Sequence, residues 1–183
     1  MTTNRKIIFV VTGLVALAAV AYIVCPKQQT NVRENITGAP SAWTPGPLTP
    51  DQLKPFENAA SYTRVNEVAK LPTEIFALCF NRGAIAKMAD PGGKWNVTDA
   101  IFDSTLPNHR LIWAATDGVH YVVHYEEGGM GHSFHIVLAA LEKAGTKPTL
   151  DWHATVAGEL TDYESFLQAL KAGKLDNSED YGR

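Results

Sequence analysis

The apolar positions of this chain follow two regimes. Ile7 to Cys25 is a run of nineteen residues without a charge, IIFVVTGLVALAAVAYIVC, preceded by Arg5 and Lys6. A soluble amphipathic helix shows a polar stripe every three or four residues, and this run shows none. Thr12 is its one strongly polar side chain, and in a helix that hydroxyl can bond a carbonyl one turn back. As a helix the run would reach roughly 28 Å, close to the ~30 Å of a hydrocarbon core. Pro26 then supplies a stop. Residues 1–25 are therefore expected to be a single N-terminal transmembrane helix, a membrane anchor or uncleaved signal. Cleavage after Ala19-Val20-Ala21 is the competing reading, disfavoured because the apolar run continues through Tyr22, Ile23, Val24 and Cys25. Lipid attachment at Cys25 ranks last, because no small residue immediately precedes it.

Beyond the run the pattern changes. Residues 26–50 hold five of the chain's ten prolines (Pro26, Pro40, Pro45, Pro47 and Pro50), which suits a semi-stiff spacer. Trp43 is the odd aromatic within it. Thr49-Pro50-Asp51-Gln52 reads as a helix start, with Pro55 interrupting: one short turn, then a longer helix toward Lys70. Leu71-Pro72-Thr73-Glu74 starts another helix, with Ile75, Leu78 and Cys79 at helical spacing. From Arg110 the period becomes two, predicting strands over 110–116, 119–126, 132–141 and 150–156. Asp117-Gly118, Glu127 to Gly131 and Lys143 to Pro148 are the turns between them. Thr161-Asp162-Tyr163-Glu164 then forms a capping box before an apolar face of Tyr163, Phe166, Leu167 and Leu170, and Gly173 ends that helix. The expected domain, residues 51–183, is α+β: a four-stranded antiparallel meander sheet flanked by helices.

Composition narrows the function classes. At 183 residues, 45% hydrophobic and with seventeen aromatic residues, the chain can build one core and is not a disordered polymer. Setting aside Arg5 and Lys6 leaves fourteen basic against nineteen acidic residues, a net charge of −5 on the part beyond the anchor. That gives no basic footprint for nucleic acid and mild repulsion from anionic lipid. The positive flank keeps the N-terminus cytoplasmic, so the domain is expected outside the cytosol, in the periplasm if the cell is bacterial. The only thiol outside the apolar run is Cys79, read as a small buried hydrophobe.

Candidate chemistry rests on the histidines. Pairing Tyr125 with Phe134 and Leu138 with Trp152 would bring His124, His135 and His153 onto one face, bordered by Leu111 and Trp113. Three imidazoles from adjacent strands suit Zn²⁺ with an open fourth position, and Glu126 or Asp151 would serve as base or supporting partner. A one-residue slip in either hairpin would break this cluster. The bland alternative is a set of half-buried, hydrogen-bonded polar residues. Motifs of real metal specificity, such as H-E-x-x-H, are absent. Gly128-Gly129-Met130-Gly131-His132-Ser133 is neither a P-loop nor a nucleophile elbow, and its glycines suit a turn. Met130 and His132 at its tip make a candidate partner-contact loop, and Trp113 a candidate wall for a ligand against the helix near residues 161–172. Glu126 and Glu127, adjacent on a strand, point to opposite faces and cannot work as a pair.

The expected function is a membrane-tethered extracytoplasmic interaction domain. It is held to the membrane through residues 7–25 and has a protein partner, in one version as an immunity- or inhibitor-like protein. The alternative is a metal-dependent hydrolase or metal-binding protein built on the histidine cluster.

Overall fold

The computed structural model describes residues 46–80, 87–97, 103–129 and 131–177. The expected anchor, Trp43 and Met130 lie outside the described residues. Among the described residues, no helix is long and apolar enough to cross a membrane.

The domain is α+β. A mostly antiparallel sheet contains six strands among the described residues: β1 (Thr63–Val65), β2 (Met88–Ala89), β3 (His109–Thr116), β4 (His120–Glu127), β5 (Ser133–Ala140) and β6 (Leu150–Val156). Their order is β1-β3-β4-β5-β6, and β2 pairs in parallel with the start of β3. The expected meander is β3 to β6, and the sheet is wider than expected by the two short strands. Helices are few: α1 (Pro50–Leu53), α2 (Thr73–Leu78) and α3 (Tyr163–Lys171).

Each element has a local cause. Thr49 caps α1 by accepting from the Gln52 N–H, and the Gln52 side chain accepts from the Thr49 N–H in return. The longer helix expected after Pro55 does not form. Short 3₁₀ turns at 54–57 and 59–61 give way to β1, because the β-branched Thr63 and Val65 pair with Thr116 and Ala114 on the open side of β3. α3 starts one residue later than the motif suggested. Asp162 is the cap, accepting from the Ser165 N–H, and the Ser165 hydroxyl accepts from the Asp162 N–H. Gly173, at φ 64°, ends it as expected.

Both faces of the sheet are covered, so β4 and most of β5 are buried on both sides. One face packs Leu111, Val123, Tyr125, Val137 and Ala139 against Ile75, Phe76 and Cys79 of the α2 region. The other packs Trp113, Val122, Ile136, Leu138 and Trp152 against Phe166 and Leu167 of α3 and Phe56. Burying each such large side chain is worth roughly 1.5–3 kcal/mol. The Trp152 indole N–H donates to the Gly46 carbonyl and the Tyr163 hydroxyl to the Phe56 carbonyl, tying the N-terminal segment onto this second face.

Two irregularities set which side chains share a face. In β3 a bulge between Leu111 and Trp113 puts Leu111 on the α2 face and Trp113 on the α3 face. In the β4–β5 hairpin Tyr125 pairs with His135 and Glu126 with Phe134, one residue away from the expected register. The β5–β6 register is as expected, with Leu138 opposite Trp152 and Val137 opposite His153.

Candidate functional site at the β4–β5 hairpin

The one-residue difference divides the expected histidine trio. His124 faces α3, whereas His135 and His153 face α2, so the structure does not bring the three together. His124 has no free lone pair either: Nε2 accepts from the Leu160 N–H at 3.0 Å, which places the proton on Nδ1, bonded to the His135 carbonyl at 2.9 Å. Burial pushes its pKa down to about 4, so it is a neutral structural imidazole. Among the described residues, no group of three His, Cys, Asp or Glu is arranged to hold a metal ion. Glu126 and Asp151, both assigned above to the His124 face, are also separated. Asp151 lies on the α2 face and bonds His153 Nε2 at 2.6 Å.

A tertiary contact constrains the hairpin where its turn begins, at Gly128. Gly128 donates to the Asn108 carbonyl at 2.8 Å, and a Cβ there would lie 2.1 Å from the Asn96 carbonyl oxygen and 2.8 Å from the Trp95 ring. Only glycine fits. Asn96, buried, donates through Nδ2 to the Asp103 and Leu106 carbonyls and to Asn108 Oδ1, tying residues 95–97 to residues 103–108 beneath the turn.

The same end of the sheet thus carries two polar clusters, one on each face. On the α3 face, Glu126 (side chain 3% exposed) receives Arg110 at 2.5 Å and His132 Nε2 at 2.8 Å. Arg110 also lies 5.2 Å from the Trp95 ring, and the Trp95 and His132 rings are 5.6 Å apart. His132, 37% exposed, is presented to solvent from this braced network. Trp113, expected as a wall for a ligand, is 1% exposed, donates to the Leu160 carbonyl at 2.7 Å and is set edge-on to Phe166.

On the α2 face, Glu127 Oε2 lies 3.6 Å from His135 Nε2 and 3.7 Å from His109 Nε2. Those distances are too long for hydrogen bonds. Burial pushes both imidazoles down to about 4 and the Glu127 carboxyl up, so desolvation outweighs their attraction and these are not ion pairs at neutral pH. His135 is stacked on Tyr125 at 4.9 Å and 12°, and its Nε2 sits 2.7 Å from the Ser133 hydroxyl.

The partner of Ser133 is therefore His135, two residues on and on the same face, and not the adjacent His132. Sequence reasoning also missed His109, which precedes the expected start of β3. Its period-two spacing from Leu111 was the available signal. Cys79 is buried in the α2-side core with its thiol pushed well up by desolvation, an unreactive state. No protein-family description, curated protein or solved structure matches the chain.

Proposed function

We infer that this protein is an extracytoplasmic interaction domain tethered to a membrane by residues 7–25. The observation that carries this reading is the nineteen-residue uncharged run behind Arg5 and Lys6, followed by a proline-rich stretch before the first element of the domain. The hairpin loop with His132 is the contact surface this reading favours. Gly128, where the loop begins, is packed against Asn96 and Trp95, and the His132 imidazole is braced by Glu126, itself paired with Arg110. A braced side chain loses little freedom on binding. An inhibitor- or immunity-type role, in which the loop covers a site on another protein, is the narrower form of the same reading.

Fractionation with carbonate extraction tests the tether, and a reporter fused after Arg183 that is active only outside the cytosol tests the orientation. Both the chain and the reporter activity are expected in the membrane fraction. Recovery of the full-length chain as a freely soluble cytosolic protein would overturn the assignment. Cross-linking from position 132 tests the surface: a single stoichiometric adduct is expected, and a partnerless monomer would count against it.

A further inference from the structure

We propose that Ser133 and His135 form a nucleophile–base pair that cleaves small uncharged acyl esters. The two side chains project from the same face of β5, with Oγ and Nε2 2.7 Å apart, inside the range that proton transfer requires. Both residues are partly exposed, the His135 side chain to 13%. The stacked Tyr125 ring fixes the plane of that imidazole.

The surroundings define the substrate. Phe80, His109, Tyr125 and His135 form a file of largely buried rings at spacings of 4.7, 5.8 and 4.9 Å, an apolar wall on the inner side of Ser133 that suits an uncharged acyl or aryl group better than an ionic one. The Glu127 carboxylate, 37% exposed, stands beside the pair and disfavours an anionic substrate.

The step balances with water as the only co-reactant. Ser133 Oγ bonds to the ester carbonyl carbon as its proton passes to His135 Nε2. The carbon–alkoxy bond then breaks, and the leaving alkoxide takes that proton as an alcohol. Water next attacks the acyl-serine, gives its proton to His135, and the acid departs as Ser133 recovers its hydrogen.

The test uses the full-length chain in mild detergent, a fluorophosphonate probe, and p-nitrophenyl butyrate. A single adduct mapping to Ser133 is expected by peptide mass spectrometry, with ester turnover that the probe abolishes. Ser133→Ala should remove both. His135→Gln should slow labelling of Ser133 by about a hundredfold, the scale of a lost general base. An unlabelled chain, an adduct at another residue, or Ser133 labelling unchanged in His135→Gln would each overturn the proposal. The mapping of the unaltered chain decides the matter even if a variant fails to fold. The membrane tether is measured separately by fractionation, so failure here leaves that reading standing.

Discussion

Glu126 and Glu127 are neighbours in sequence and opposites in environment. Glu126 is 3% exposed and held by an arginine at 2.5 Å and an imidazole at 2.8 Å. Glu127 is 37% exposed and meets two uncharged imidazoles at 3.6 and 3.7 Å. The α3 face thus closes its charge within a bonded network, while the α2 face holds a carboxylate, a hydroxyl and two neutral rings without closing them. A buried charge with its partners braces a loop. A loosely partnered set of polar groups is available for a ligand, and that contrast is why we place the loop contact on one face and the chemistry on the other.

Acidification should have the largest effect. His109, His124 and His135 have folded pKa values near 4 against a usual value of 6.5, so the unfolded chain takes up their protons first. Their contribution is complete above pH 6.5 and is lost as the pH falls through about 4. Each site accounts for on the order of 2–3 kcal/mol, a large share of the usual 5–15 kcal/mol of domain stability. Glu127, raised by burial, opposes this, since its contribution is present at low pH and fades as the pH rises. Urea titrations at pH 7 and pH 4.5 should show the loss, and the double variant His109→Gln, His135→Gln should flatten much of it. An unchanged midpoint at pH 4.5 would contradict the neutral burial of these rings.

Gly128→Ala should rank next. The new methyl meets backbone at the Asn96 carbonyl, which cannot swing aside as a side chain can, and about 2–4 kcal/mol should be lost. Its effect should fall first on the α3-face cluster, seen as altered Trp95 fluorescence. The smallest and most pointed comparison is between the two carboxylates. Glu126→Gln leaves the partly exposed Arg110 with a neutral acceptor and should cost about 1.5 kcal/mol, the scale of a hydrogen bond to a charged group. Glu127→Gln should change stability by less than about 0.5 kcal/mol, as at other sites outside tight networks. Equal losses by chemical denaturation would erase the distinction between the faces.

Much of the fold was legible from one sequence. The alternation after Arg110, the Asp117-Gly118 turn and the capping residues before Tyr163 each act within a few residues, and β3 to β6 and α3 follow from them. The fate of residues 58–70 was not legible. Nothing local to Thr63–Val65 announces that a free edge of β3 will recruit it as a strand. The site was legible only in part: His135 and His153 share a face as expected, but His124 does not join them and His109 comes instead.

The physical reason lies in the period of a strand. With side chains alternating at every residue, composition settles that a segment is a strand, but a single-residue shift reverses every side chain in it. Here the β4–β5 register goes with Asn96 and Trp95 packing where Gly128 has no side chain, and a bulge beside Ile112 separately sets the faces of β3, both tertiary events. The sequence alone determined the apolar run, strands β3 to β6 and the opposed glutamates. The tertiary structure alone decided that His124 is a sealed structural ring and that Ser133 meets His135, because only packing between distant segments chooses the register.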